Sequence, residues 1–465
     1  MRIVRALLPA LLVAGCVSPG ERAAPPPAAG VAPPTAWRTA LNGTAPVSAD
    51  WWTAFGDPAL TSLVQRALAN NVDIAIATAR VEEARATEAL SRAQLLPQVG
   101  GQLPETQGQT LSPLGTPSRA IGAQPGVTAS FYPDLFGRLR LASRAARAQL
   151  LATEAARDTV RLATASTAAS GYITLRALDQ RLAIARATLA ARSDALRIAR
   201  RRYETGYSSR LEYRQAQAEY AATEQLVPQA ELAIARQENA LSLLAGDTPG
   251  AVTRGVSLDQ LGLPAIPAGL PADLLRRRPD LAQAEQTLVA ADLSLDSQRA
   301  AFLPNLSLTG SAGLVLSTAL KNPVGVFSLG ASILAPLFDG GRLAAQEDAA
   351  TARRDQAAFA YRRTVLTAFR EVDDALAGVQ RAGEQVTALN AQVAATRGAV
   401  SNATNRYRAG YSSYIEQLDA QRSLLGAELS LVQASADRLT SYIALYQAMG
   451  GGWSGATLSQ AGDRR

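Results

Sequence analysis

Few residues in this chain could do chemistry, and they come in pairs. RRYETGYSSRLEY (Arg201–Tyr213) returns as NRYRAGYSSYIEQ (Asn405–Gln417). Each copy offers guanidinium, phenol and hydroxyl groups, and the second is followed by the carboxylate Asp419 where the first has Gln215. Such a set makes charge-assisted hydrogen bonds and aromatic contacts. It is poorly suited to breaking covalent bonds. There is no histidine, the commonest general base and metal ligand, and only one cysteine, Cys16. No Gly-x-Ser-x-Gly elbow, phosphate loop or dinucleotide fingerprint is present. The residues nominate no nucleophile, so no catalytic site, metal or cofactor is expected. The net charge of +7 is carried by arginines, with Lys321 the one lysine. They are spread along helical patterns as solvated faces, without a nucleic-acid motif.

The cysteine has its own context. MRIVRALLPALLVAGC carries two arginines, a short apolar core and small residues up to Cys16. That is a secretory signal over 1–15, too short to span a membrane. Val13-Ala14-Gly15-Cys16 resembles a bacterial lipobox, in which Cys16 becomes the new N-terminus and carries the lipid, palmitate included. The competing reading is a small residue near an ordinary cleavage site. A multiply acylated cysteine would hold the chain firmly at a membrane. Val17, rather than aspartate, follows it, which points to the outer membrane. Residues 16–36, including ERAAPPPAAGVAPP, are too poor in apolar side chains to fold and read as an extended tether. Order is expected to begin near Trp37 and to be firm by Trp51.

The elements that must position the doubled signature are doubled too. Tyr203 and Tyr407 stand 204 positions apart, and so do Gly206 and Gly410, and Glu212 and Glu416. Leu175, Leu182, Leu189 and Leu196 lead to Tyr203 every seven residues, and Val379, Val386, Val393 and Val400 lead to Tyr407 in the same register. A sustained heptad means helices wound left-handedly on their neighbours. No proline lies between Pro133 and Pro228 or after Pro336, so each half can carry one long helix to its signature and another back. The 66 residues from Leu139 to Glu204 would span roughly 100 Å. Each signature is then a hairpin tip. Gly206 and Gly410 permit the turn, and Ser208 or Ser209, like Ser412 or Ser413, can cap the returning helix. Capping explains the glycines and serines but not two exposed tyrosines, Tyr207 and Tyr411.

Between the helices the period changes to two. In NLSLTGSAGLVLS, Leu306, Leu308, Gly310, Ala312, Leu314 and Leu316 share one face. Strands are predicted at about 98–109, 122–133, 305–318 and 324–336. With one apolar and one small-polar face they suit a membrane β-barrel wall better than a soluble hairpin. Four strands cannot close a barrel, and lipid does not tolerate an open edge, so the chain must assemble with copies of itself.

These features together resemble the TolC-like outer-membrane efflux channels, specifically the lipoprotein branch (NodT/OprM type) that partners resistance-nodulation-division pumps. The likeness runs along the mature chain through DWWTAFGDPALTSLV (Asp50–Val64), NNVDIAIATARVEEA (Asn70–Ala84), LLPQVG (Leu95–Gly100), LLRRRPDLAQAE (Leu274–Glu285), AFLPNLSL (Ala301–Leu308), PLFDGGRL (Pro336–Leu343), both tips and GGGW (Gly450–Trp453). It implies a mainly α fold with a membrane β-barrel portion, built on a duplicated helix-strand-strand-helix plan. The homotrimer would form one barrel in the outer membrane of a Gram-negative bacterium, continued by a coiled-coil tunnel into the periplasm. It further implies a passive efflux conduit whose partners are a periplasmic membrane fusion adaptor and an inner-membrane pump. Its tips, Gly206, Tyr207, Ser208, Ser209, Gly410, Tyr411, Ser412 and Ser413, would meet the adaptor. A resting gate would comprise Arg406, Tyr407 and Asp419, with Arg406 and Asp419 pairing within or between chains. A surface ion pair, and a packing role for Tyr407 in its heptad, are the competing accounts. The implied layout is a first repeat over 37–260, a second over 261–453 and a tail over 454–465. A lipid-anchored, non-conducting coiled-coil adaptor or tether is the alternative, and it leaves the strands unexplained.

Overall fold

The computed structural model describes residues 21–39, 43, 47–111, 115, 117–267, 271–318 and 320–453. Cys16, the signal and the tail lie outside the described residues. The chain divides into two compact units. One contains Ala79–Glu154, Gln283–Arg363 and the described residues up to Gly30; the other contains the described residues of Val31–Thr78, Ala155–Ala282 and Thr364–Arg465.

The first unit holds the strands: β1 (Gln98–Gln102), β2 (Glu105–Leu111), β3 (Pro117–Ala123), β4 (Gly126–Phe131), β5 (Asn305–Ser317) and β6 (Val324–Leu334). All pairings are antiparallel. The first two predicted strands are each divided in two, and their bounds shift. Pro104 and Pro125 are the cause, since proline donates nothing to a ladder. The register is nevertheless unbroken: Gln98 faces Ser130 and Glu105 faces Ala123 in one continuous count. The amide of Gln124 donates to the Pro104 carbonyl at 2.9 Å across the interruption. The six strands therefore form four lines, ordered β1/β2, β4/β3, β5, β6.

That register gathers like with like. Val127, Ala312 and Phe327 form one row, Val99, Ala129, Gly310 and Leu329 the next, and Leu306 with Ile333 another. Thr128, Ser311 and Ser328 occupy the other face, where the two serine hydroxyls lie 2.9 Å apart. A slip of one residue would exchange the faces. Phe327 is 82% exposed and Leu329 86% exposed on a single protomer, an arrangement suited to lipid rather than water. At about 3.3 Å per residue, the 13 residues of β5 reach about 43 Å, enough to cross a bilayer core while tilted. No described helix is long and apolar enough to cross a membrane.

The Pro/Ala segment expected to be an extended tether is held in its described part. Arg22 pairs with Asp292 at 2.7 Å and Asp296 at 3.3 Å. Arg354, buried beside Asp355, donates to the carbonyls of Ala23 at 2.6 Å and Ala24 at 3.3 Å. Pro27–Ala29 make a short 3-10 turn. The segment has no core of its own, but its carbonyls satisfy a guanidinium that would otherwise be buried without enough partners.

The helices are α1 (Pro58–Asn70), α2 (Val72–Ala93), α3 (Arg138–Glu204), α4 (Arg210–Glu224), α5 (Leu226–Leu244), α6 (Pro271–Leu274), α7 (Pro279–Ala300), α8 (Arg342–Arg408) and α9 (Tyr414–Ala448). Both α3 and α8 have 67 residues, and their ends keep the 204-residue offset of the signatures. So do the ends of α4–α5 and α9. The returning helix is continuous in α9 and divided in the first half. There the helix is interrupted at Gln225 because the Pro228 ring crowds the carbonyl four residues back, on Glu224. Val432 stands at the matching place in α9 and leaves it continuous.

Small side chains bring the helices close. Ala165, Ala168, Ala169, Tyr172 and Ile173 are buried along α3, and Ala368 and Val372 along α8. Before α1, the buried Asp57 binds the amides of Ala59 at 2.7 Å and Leu60 at 3.3 Å. Its other oxygen accepts from the Tyr172 hydroxyl at 2.9 Å and the Val256 amide at 3.1 Å. A Cβ on Gly255 would lie 2.0 Å from this carboxylate, so only glycine fits there.

Candidate functional site

The two tips are built alike. Gly206 and Gly410 adopt φ of 76° and 81°, the left-handed conformation that ends a helix. The amide of Tyr207 reaches back to the Arg202 carbonyl at 2.7 Å, and that of Tyr411 to Arg406 at 2.9 Å. These bonds satisfy carbonyls that a helix end leaves open. Ser209 then caps α4, accepting from the Glu212 amide at 3.3 Å. Ser413 holds the equivalent backbone position without a side-chain bond. Ser208 and Ser412 do not cap, and their hydroxyl oxygens are buried without a partner. Tyr207 and Tyr411 project from the turns, 88% and 79% exposed.

Behind the tips the two hairpins interlock. Ala199 and Leu196 of α3, Ala216 of α4, Tyr414 and Leu418 of α9 and Tyr407 of α8 form one apolar cluster. Tyr407 lies against Tyr414 with ring centres 5.6 Å apart, and the Arg202 guanidinium sits 4.6 Å above its ring. Its hydroxyl donates to Glu212. Burial first, and the neighbouring Glu212 carboxylate second, push this phenol up to about 12, so it keeps its proton at neutral pH. Tyr203, at the matching place in the first half, instead stacks on Tyr213 at 5.6 Å. The difference follows from the sequence, since position 417 holds glutamine where 213 holds tyrosine.

A polar layer lies further along the hairpins. Arg192 is buried, 3.5 Å from Glu219, and it donates to Gln421. Burial pulls its pKa down and Glu219 opposes this. Glu219 also takes both Nε, at 3.0 Å, and Nη2 of Arg422. One carboxylate of the first hairpin thus joins α3 to α9. The sequence reading picked out neither Arg192, Glu219 nor Arg422, and it marked Glu212 only as a periodic position. Its spacing to Glu416 was the available signal.

Of the three residues predicted to form a gate, the protomer does not bring two together. Arg406 is exposed and reaches only its own tip, with Nη2 3.5 Å from the Tyr411 carbonyl. Asp419, 67% exposed, has Arg422 at 3.9 Å. The pairing of Arg406 with Asp419 within one chain is therefore not formed. The turn points Arg406 along its own loop, while Asp419 faces solvent a turn and more into α9. Tyr407 is held by the other hairpin, which combines its packing role with a specific bond.

A different cluster explains GGGW. Gly450, Gly451 and Gly452 all have positive φ, and a Cβ at Gly450 would meet the Arg277 carbonyl at 1.9 Å. The Trp453 indole donates to Asp158 at 3.0 Å. Arg278, mostly buried, holds Ala448 O at 3.0 Å together with Asp280 and Glu371, each at 2.7 Å. This cluster, which includes the RRRPD motif, anchors the end of α9 and serves structure.

Residues 63–247 and 270–451 match the profile of the outer membrane efflux protein family. Over 418 residues the chain is 36% identical to the solvent efflux pump outer membrane protein SrpC of Pseudomonas putida, covering 86% of this chain and 87% of that one. It is 33% identical over 438 residues to the pyoverdine export outer membrane protein OpmQ of Pseudomonas aeruginosa, covering 91% and 92%. Its backbone is similar to the solved outer-membrane channel OprN, with a TM-score of 0.84 at 28% identity over 94% of this chain and 100% of that one.

Proposed function

The chain belongs to the outer membrane efflux protein family, and from that premise we infer that its trimer is a passive conduit, the last station of a three-part exporter. An inner-membrane pump supplies the energy, and a periplasmic adaptor joins pump to channel. One observation carries this reading: four lines of antiparallel strand present apolar rows such as Val99, Ala129, Gly310 and Leu329 on one face and, among the described residues, leave β1/β2 and β6 as open edges. In lipid those edges must be paired, and further copies of the chain supply the partners. A coiled-coil adaptor would have no use for such a sheet.

The relatives' names are those of a solvent efflux pump protein and a pyoverdine export protein. Cargos so unlike one another support a conduit that leaves selection to the pump. No residue of this chain is assigned a catalytic role.

The adaptor contact belongs to the tips, where Tyr207 and Tyr411 offer amphipathic area on rigid turns. The resting gate belongs to the second hairpin. Arg406 and Asp419 are exposed and unpaired with each other in the protomer, which leaves both available to neighbouring chains around the axis. Tyr407 sets the position of that hairpin through Glu212. Cys16 is the lipid attachment site, a reading that rests on the residues before it. Mild-detergent extracts should contain trimers that survive heating and release small dyes from vesicles. Trimers that leave vesicles sealed even after the tips are cut away would refute the conduit.

A further inference from the structure

The turns that lead from strand to long helix repeat, as the tips do, and nothing above explains their composition. After β4 the chain reads Pro133-Asp-Leu-Phe-Gly-Arg138, and after β6 Pro336-Leu-Phe-Asp-Gly-Gly-Arg342. Both expose the same side chains. Leu135 is 61% and Phe136 46% exposed; Leu337 is 48% and Phe338 90% exposed. Both elbows, with the start of β5 and the end of β6, line one cavity of about 400 Å³ that includes Phe136, Arg138, Leu303, Leu334 and Arg342.

The charges are sorted in a way that matters. In each elbow the carboxylate is turned inward onto the following helix. Asp134 accepts from the amides of Leu139 at 3.1 Å and Arg140 at 2.8 Å, and Asp339 from those of Gly341 at 3.0 Å and Leu343 at 2.9 Å. These bonds, with the Arg140 side chain, hold Asp134 below the usual carboxylate range despite its partial burial. The helix N-termini are thus already occupied. The guanidinium groups are less committed. Arg138 is exposed and makes no ion pair among the described residues, and Arg342 is 61% exposed in its side chain, with Gln346 at 3.3 Å and Asp339 at 3.9 Å. Apolar projections beside exposed cations remain.

The register places this surface. Asn305 pairs with Leu334 and Leu308 with Phe131, so both elbows leave the sheet at the end from which the long helices run. In this family that end is the periplasmic one. The elbows follow directly on the ends of β4 and β6, at the depth where a leaflet changes from acyl chains to phosphates and proteins place aromatic and basic anchors.

We propose that the two elbows of each protomer form a binding site for an anionic glycerophospholipid of the periplasmic leaflet. Acyl chains lie against Leu135, Phe136, Leu337 and Phe338, and the phosphate is held by Arg138 and Arg342. The site goes beyond conduction and does not depend on the gate. An uncharged or zwitterionic headgroup offers less to two guanidinium groups than a net negative one.

Full-length trimers reconstituted in vesicles of phosphatidylethanolamine, with or without phosphatidylglycerol, and re-extracted in mild detergent can be weighed by native mass spectrometry. Phosphatidylglycerol should be retained in preference, at up to one molecule per protomer. Arg138→Gln with Arg342→Gln should lower that retention about tenfold while leaving the trimers intact. Phe136→Ala with Phe338→Ala should lower retention of both lipids. Equal retention of the two lipids by the unaltered protein would overturn the proposal, as would an unchanged preference in the arginine variant. If the phenylalanine variant fails to trimerise, Arg138→Lys with Arg342→Lys decides, since lysines should keep the preference. Phe338→Ala trimers that fall apart while retaining the lipid would mean that this face meets a neighbouring copy, which would also overturn it.

Discussion

Tyr407 shows how one side chain serves both the scaffold and the mouth. Its ring packs on Tyr414 under Arg202, and its hydroxyl donates to Glu212 of the other hairpin. A hydrogen bond to a charged group contributes about 1.5–3 kcal/mol. Tyr407→Phe should keep the packing and lose only that link. Hydrogen exchange of the backbone around Tyr203–Tyr213 should then quicken about tenfold, and unchanged exchange would show the bond to be idle. The tip residues were legible from their repetition and from the conformation glycine permits. Glu212 and Glu219 were not, because a carboxylate on a helix looks the same whether it faces water or the neighbouring hairpin. Asp419 lies between these cases. Its departure from Gln215 was plain, but in the protomer it is 67% exposed with Arg422 3.9 Å away.

At the scale of elements, strand and helix periods carried most of the fold. The 204-residue offset predicted from tyrosines and glycines holds at both ends of α3 and α8, because a duplicated sequence meets the same caps twice. The departures come from prolines. Pro104 and Pro125 divide strands without shifting register, and Pro228 interrupts one return helix while its counterpart is continuous. Proline was visible in each case; whether it would break, bend or be absorbed depends on which neighbour needs the missing amide. Val432→Pro should interrupt α9 as Pro228 interrupts the first half, at a cost of about 3 kcal/mol. The trimer's melting temperature should fall by several degrees, whereas a conformational accommodation as easy as at Pro228 would leave it unchanged. The hold on the N-terminal segment was not legible for a related reason. Its composition rules out a core of its own but says nothing of Arg354, which uses its carbonyls.

The molecule as a whole is incomplete as one chain. Its sheet presents Phe327 and Leu329 and, among the described residues, has two edges without partners, while its tips expose Tyr207 and Tyr411. Each is costly in water alone and reasonable in a trimeric barrel continued by helices, the assembly of its family. Leu329→Arg should cost about 2–4 kcal/mol if that face meets the bilayer midplane. Insertion into vesicles should drop sharply, while an arginine tolerated there would place the face elsewhere. The conduit and its gate are tested most directly by recording the purified trimer in planar bilayers. Unaltered protein should give discrete conductance steps at a low level, and Asp419→Ala should raise them by loosening the mouth. Trimers that insert without conducting would contradict the conduit, and Asp419→Ala steps equal to those of the unaltered protein would contradict a gate at the second tip.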